Sequence, residues 1–564
     1  MKRAWIVLTA VVLASACGRV KVPDTDQPSE AQLALRAMLG HTARPPFVTA
    51  DAEGARLWKL TRAFYERREH KFAWIDEKHP TGHMDALISA LKAADREGLD
   101  PEMYSLSALE ARRQDAAKGF LRKKGFDPKE AGPLEVFLTY LYMKYASDLA
   151  DGISDLAHAD RTWRIESERF EPLDHLEKAL AENRVAESLA DLMPDAPQYT
   201  QLRDALAEYK KKAADGGWPA LPRNFRAKRG QTGDQVRLLA TRLAASGDFS
   251  GAVPNAGAMK YDDAIADGVK RFQRRHGLED DGNAGPAVVA ALNVPIEQRV
   301  DQIRLALERW RWLPRSLGDR HILVNIPNYW LEVWDNGSNP VSMRVVVGRK
   351  DTPTPVFNDR MTHIIFSPYW NVPSTIAQGE TLPSFMQDAS FLARNNMEVL
   401  DASGKVVDPE SIDLDDPTKY RFRQRPGGGN SLGLVKFMFP NEYNVYLHDT
   451  PADSLFARAT RSLSHGCVRV EDPTKLAAYL LKDQPDWTRD RIAEAMQAGE
   501  ERTVKLQAPI PVYLGYWTAS ATPEGVRFTG DVYGIDARQS KLVAERTMRL
   551  KKASSQAIAA NVQK

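Results

Sequence analysis

Tyr446-Leu447-His448-Asp449-Thr450-Pro451, followed by Ser464-His465-Gly466-Cys467-Val468-Arg469-Val470, is the stretch on which the reading of this chain turns. His448 closes the β-like run Asn444-Val445-Tyr446-Leu447, and Cys467 follows it by 467 − 448 = 19 residues. A thiol attacks as its thiolate, and a free cysteine has a pKa of about 8.5, so a base is needed near neutral pH. Histidine is the natural base. Two are at hand, His448 and His465, and spacing alone does not choose between them. Gly466 lets a substrate approach the backbone closely, where N–H groups could stabilise an oxyanion. The pattern is that of a cysteine nucleophile. Two plainer readings compete with it. His465, Cys467 and either His448 or Asp449 could hold a metal, although one thiol without a Cys-x-x-Cys pair is poor zinc spacing. Both histidines could also be hydrogen-bonded core residues.

The sequence around this stretch reads as mainly β. Runs at His321–Ile326, Tyr329–Trp334, Val341–Val347 and Thr362–Phe366 have strand composition, and Asn336-Gly337 reads as a hairpin turn. Residues 376–434 interrupt the pattern. They are polar, helical over Phe385–Asn395, and include Gly427-Gly428-Gly429; they read as a lid over the sheet. The glycine run has no strand-to-helix context and no following Lys-Ser/Thr, which argues against a phosphate loop. Beyond 475, helical stretches precede strand-like Val512–Thr518 and Val526–Tyr533. Residues 541–564 read as a tail.

Upstream the period changes to that of helices. From 31 to 224 apolar residues recur every three or four positions, as in Phe137, Leu141, Tyr145 and Leu149, with Pro133 just ahead of that helix and Asp151-Gly152 closing it. That unit reads as a helical scaffold domain. A second helical unit spans 225–297, and 298–320 reads as a linker helix. Residues 18–30 are a polar tether. Lys2 and Arg3, then the apolar run Ala4–Ala16, read as an export signal, too short for the ~20 residues that span a bilayer. Ala14-Ser15-Ala16-Cys17 resembles a bacterial lipoprotein cleavage site, which implies a signal of residues 1–17, lipidation of Cys17 and an outer-membrane home in the periplasm. Cys467 would then be the remaining thiol, since the chain has 2 cysteines. At 564 residues the chain suggests several domains, and 43% apolar with 27% charged residues suits a soluble fold. A net charge of +2 gives no sign of a nucleic-acid partner.

Phe272-Gln273, Gly277-Leu278 and Asp281-Gly282 resemble the pattern of the three-helix peptidoglycan-binding domain. A histidine followed by Ser-His-Gly-Cys is similar to the signature of the L,D-transpeptidase (YkuD-type) catalytic domain, and HDTP with SHGCVRV resembles its large multidomain YcbB-like group. The resemblance implies a multidomain fold: helical scaffold, peptidoglycan-binding domain, and a mainly β catalytic domain at 321–540 with a capping insertion at 376–434. It implies Cys467 as nucleophile, His448 as base held by the Asp449 carbonyl, and oxyanion donors from Gly466 and Cys467. His465 would belong to the catalytic group and, with Ser464, shape the site, and Ser464 would also bind substrate. Arg469 would anchor the motif or a substrate carboxylate, and Tyr446, Trp370 and Asn371 would line the cleft with Asp449. The implied reaction is acyl transfer between peptidoglycan stem peptides through a thioester, with D-Ala released and a 3→3 cross-link formed. It needs neither metal nor cofactor, and carbapenems would acylate the same thiol. The implied partners are a tetrapeptide donor, a diamino-acid amine acceptor and candidate wall synthases. The alternatives are the same nucleophile with water or a protein amine as acceptor, and a wall-binding protein without activity.

Overall fold

The helix Pro128–Asp151 shows how the amino-terminal half is built. Asp127 caps it by accepting the Lys129 N–H, Pro128 sits at its first position, and Gly152 ends it in a left-handed turn at φ +82°. Nearly every side chain along it is buried, so it forms the centre of a helical bundle with Glu30–Gly40, Ala52–Arg67 and Gly82–Ala93 around it. A side chain at Gly132 would meet the Leu35 nitrogen at 2.4 Å, so glycine there permits the close crossing of the first helix. Pro133 lies inside this helix and not ahead of it. The true start is set by the Asp127-Pro128 cap one turn earlier, and the missing Pro133 N–H is tolerated near the beginning of a long, well-packed helix.

The computed structural model describes residues 27–121, 125–153, 163–413 and 416–559; Cys17 and the export signal lie outside them. Among the described residues no helix is long and apolar enough to cross a membrane.

The second unit packs helices Asp234–Ala245, Asp263–Arg275 and Pro286–Leu292 around Val236, Ile265, Val269, Phe272 and Leu292. Its sequence pattern has a structural meaning. The Gln273 amide donates to Asp281 Oδ1 at 2.7 Å and its oxygen accepts from the Gly282 N–H at 2.8 Å, so Phe272-Gln273 staples the Asp281-Gly282 turn. Arg275 pairs with Asp248 at 2.7 Å and donates to the Val526 carbonyl at 2.8 Å, tying this unit to the β domain.

In the β domain the strands run in the order Val356–Phe366, Val435–Met438, Leu447–His448, Val468–Val470, Ser338–Gly348, Trp330–Asp335, Arg320–Asn325 and Arg502–Gly515. The last also pairs with the first, so the path closes on itself and leaves few free edges. Its interior is filled by Val324, Leu331, Val345, Ile364, Leu447 and Val468, all fully buried.

Four expected boundaries are drawn differently in the structure. The helix Ile296–Arg311 is no free linker: Ile303, Leu307 and Trp310 belong to the β domain's core. The scaffold side joins that core too, through Leu202 and Leu206 and through the short strand Trp163–Arg164, which pairs with Val356-Phe357. The expected tail is the helix Ile535–Ala559, which returns to the scaffold: Leu550 enters the scaffold core and Lys551 bonds Asp100 at 2.8 Å. The insertion has its own small core and a sheet of Trp370–Asn371, Met397–Leu400, Val406–Val407 and Arg421–Gln424. Trp370 and Asn371 therefore belong to the cap's sheet, ahead of the expected start at 376. Gly427-Gly428-Gly429 forms a loop returning from this sheet to strand Val435–Met438, with no helix following.

Candidate active site

Three neighbouring strands set the site. Lys436 pairs with His448, and His448 with Arg469, so the three side chains form a row across strands Val435–Met438, Leu447–His448 and Val468–Val470. Adjacent strands lie about 4.8 Å apart, so the row spans about 10 Å. Extending the register by one pleat sets Tyr446 beside Cys467. The Tyr446 and His448 rings meet edge to face at 5.7 Å, and Tyr446 is among the groups that favour an ionised sulfur. His448 is thus diagonal to Cys467, at a Cα spacing of about 8 Å that an imidazole can bridge. Leu447 and Val468 point the other way into the core, which fixes the register.

The row's electrostatics hold His448 neutral. Burial pushes its pKa down to about 3, the positive charge of Arg469 and that of Lys436 push the same way, and hydrogen bonds to the Asp449 and Leu432 backbone oppose them. Its Nδ1 lies 2.5 Å from the Asp449 carbonyl oxygen. That oxygen only accepts, so Nδ1 carries the hydrogen and Nε2 the free lone pair. Burial pushes the Cys467 thiol up, against hydrogen bonding with Tyr446 and the charge of Arg469. The resting pair is therefore a thiol and a neutral imidazole, and Sγ donates weakly to the Asn444 carbonyl at 3.7 Å.

The turn before Cys467 is stapled from within. Ser464 is buried; its Oγ donates to the Cys467 carbonyl at 2.5 Å and accepts the Gly466 N–H at 3.1 Å. The Gly466 carbonyl accepts from Thr354 Oγ1 at 2.7 Å, and its φ of +122° is one glycine adopts freely.

A cleft of about 1090 Å³ covers this face, lined by Cys467, His448, Tyr446, Arg469, Lys436 and Arg349 from the barrel and by Trp370, Asn371 and Glu380 from the cap. Glu380 sits in a π-helical turn, Ala377–Thr381, and its Oε1 lies 2.7 Å from His465 Nε2.

Residues 319–531 match the model of the L,D-transpeptidase catalytic domain, residues 232–292 a peptidoglycan-binding domain model, and residues 59–206 a scaffold domain model. The chain carries an L,D-transpeptidase catalytic domain. A Haemophilus influenzae protein provisionally named an L,D-transpeptidase is 37% identical over 227 residues, 39% of this chain and 46% of that protein, so the match spans about half of its length. Solved structures with likeness include L,D-transpeptidases from Xylanimonas cellulosilytica (16% identity, 52% of this chain and 98% of that chain, TM-score 0.18) and Stackebrandtia nassauensis (14%, 51% and 95%, TM-score 0.21), scores too low to carry a structural argument.

Within this transpeptidase domain several expected roles change. The Gly466 N–H is committed to Ser464, so it is not a free oxyanion donor in this structure. The Ser464 hydroxyl is engaged inside the turn, while the residue still lines the cleft. The Asp449 carboxylate accepts the Leu434 and Thr450 N–H groups at 2.8 and 2.7 Å and lies outside the cleft lining, so it holds a turn instead of binding substrate. His465 engages Glu380 of the cap and lines the same cleft as Cys467. Among the described residues no group of three or more His, Cys, Asp or Glu could hold a metal. Sequence reasoning passed over Lys436, Asn444 and Glu380. Lys436 had a signal, a lone cation in the apolar run Leu434–Phe439; Glu380 had none.

Proposed function

We propose that this chain is a peptidoglycan L,D-transpeptidase that forms 3→3 cross-links through a thioester on Cys467. The observation that carries the reading is the neutral His448 beside the only cleft thiol, its tautomer fixed by the Asp449 carbonyl. Cys467 Sγ attacks the carbonyl carbon between the third stem residue and D-Ala while its proton passes to His448 Nε2. The tetrahedral oxyanion collapses, the C–N bond breaks, and the Nε2 proton leaves with the D-Ala amine. The acceptor's diamino-acid amine then attacks the thioester, giving its proton to Nε2, and the sulfur leaves and recovers that proton. Among the oxyanion donors first expected, the Cys467 N–H is the one this reading keeps.

The peptidoglycan-binding domain model at 232–292 supports a cell-wall substrate. The basic start, apolar run and Cys17 support export and lipid anchoring in the periplasm, on the outer membrane, with wall synthases as neighbours. A carbapenem would acylate the same thiol.

The test is intact-mass analysis of the full chain with a disaccharide-tetrapeptide. Wild type should release D-Ala, carry a transient thioester and yield a cross-linked product, and Cys467→Ala should do none of these while keeping its circular dichroism. A carbapenem should add to wild type and not to the variant; an adduct on Cys467→Ala would refute the assignment. Release of D-Ala without a cross-link would make water the acceptor.

A further inference from the structure

Of the charged side chains that line the cleft, Glu380 is occupied by His465, and Arg349 lies 3.5 Å from Asp351. Lys436 and Arg469 differ. Neither makes an ion pair among the described residues, and Arg469 Nε is buried without a hydrogen-bond partner. Both are half-buried. Burial pushes both ammonium and guanidinium pKa values down, and only Glu501, whose carboxylate accepts the Tyr369 N–H at 2.8 Å, opposes this for Lys436. Two partly desolvated, unpaired cations on one face are costly unless an anion completes them.

Their positions separate their tasks. Arg469 is two residues from Cys467 on the same face and acts directly on the sulfur's charge, so an anion it binds lies beside the scissile bond. Lys436 is two strands farther across the row, about 12 Å from Cys467 at Cα by strand spacing and rise. At that distance, a group carried on a long side chain of the bound substrate would reach it.

Resting on the transpeptidase reading, we propose that Lys436 is a specificity residue that binds the terminal carboxylate on the side chain of the diamino acid at the third stem position, and so selects a donor that carries it. A third residue ending in a bare amine, or one whose carboxylate is amidated, leaves Lys436 desolvated and unpaired. A charge-assisted hydrogen bond of this kind corresponds to about 10-fold or more in affinity.

The experiment measures binding without turnover. Tetrapeptides with a free or an amidated side-chain carboxylate are titrated into Cys467→Ala and into Cys467→Ala/Lys436→Gln by calorimetry. The single variant should bind the free acid about 10-fold or more tightly than the amide, and the double variant should bind the two alike. Lys436→Arg in the same background should restore part of the preference, which a merely structural lysine would not do. Equal binding of both peptides to Cys467→Ala, or an undiminished preference in the double variant, overturns the proposal. D-Ala release by wild type, measured separately, tests the transpeptidase reading, so failure of one is not mistaken for failure of the other.

Discussion

The scaffold buries a carboxyl and satisfies it; the catalytic cleft half-buries two cations and leaves them open. Glu135, fully buried in the helix Pro128–Asp151, accepts N–H groups from Ala73 (2.5 Å), Trp74 (3.0 Å) and Ile75 (3.2 Å) and the Tyr65 hydroxyl at 3.1 Å. One carboxylate thereby pins the loop Ala73–Ile75 to the central helix. Lys436 and Arg469 flank His448 with no ion pair among the described residues. Both arrangements pay for desolvation, but only the second leaves bonding capacity facing a cleft. A buried ionisable group with every partner supplied by its own chain is architecture, whereas one with none marks where a ligand belongs.

The largest effect that would sharpen this contrast lies on the base. His448→Gln should slow acylation of Cys467, by substrate or by a carbapenem, at least ~100-fold, the usual scale of general-base catalysis. His465→Ala should cost much less, because His465 bonds Glu380 and not the sulfur. Stopped-flow acylation of the two variants decides it. If His465→Ala is the slower, the base belongs to the other histidine.

The next effect falls on the scaffold. Glu135→Ala leaves three backbone N–H groups without their acceptor, each such loss costing about 1–3 kcal/mol when buried, while the Tyr65 hydroxyl keeps the residue-135 carbonyl and Thr139. The variant should lose about 3 kcal/mol or more of scaffold stability by calorimetry. Carbapenem acylation of Cys467 should stay near wild type below the melting transition. A collapse of acylation at temperatures where the variant is folded would mean that the two regions are not separable in this way.

How much of this was legible in sequence follows the same division. The strand at Leu447–His448 and the turn at Gly466-Cys467 could be read because their residue types are chemically specific and local. The helical scaffold could be read because Phe137, Leu141 and Tyr145 repeat with the helix period. The row Lys436–His448–Arg469 was hidden because it exists only once three strands pair. Glu380 meets His465 across 85 residues, with no local pattern to announce it. The cap's strands, two to four residues each, are too short for alternation to show. The helix Ile535–Ala559 was mistaken for a tail because its apolar face is completed by a scaffold lying more than 400 residues earlier; Ser105 meets Ser554 across 449. Ser464 and Gly466 were expected at the substrate because proximity to the cysteine says nothing about which way an N–H or hydroxyl points.

The smallest effect, and the finest test of the comparison, is the pH dependence of stability. His448 has a folded pKa of about 3 against an ordinary 6.5. Between these values the unfolded chain takes up a proton that the fold refuses, so this group makes stability fall as pH is lowered from 6.5 toward 3. Glu135 is the reverse case. Burial pushes its carboxyl up to about 7 from an ordinary 4.5, against the donors that favour its ionised form. Between 4.5 and 7 the folded state holds the proton more firmly, so this group makes stability fall as pH rises through that window. The windows overlap from 4.5 to 6.5 with opposite signs, so the wild-type profile shows only a muted slope from the two together. The variants uncouple them. Relative to wild type, His448→Gln should gain stability on acidification from pH 6.5 to 4.5, and Glu135→Gln should lose it over the same range. Melting each variant beside wild type at half-unit pH steps measures both differences. If the two variants shift in the same direction, the charge states assigned to the scaffold carboxyl and the cleft imidazole cannot both be right. The contrast between a carboxyl held for structure and a base kept neutral for chemistry would then fail at one end.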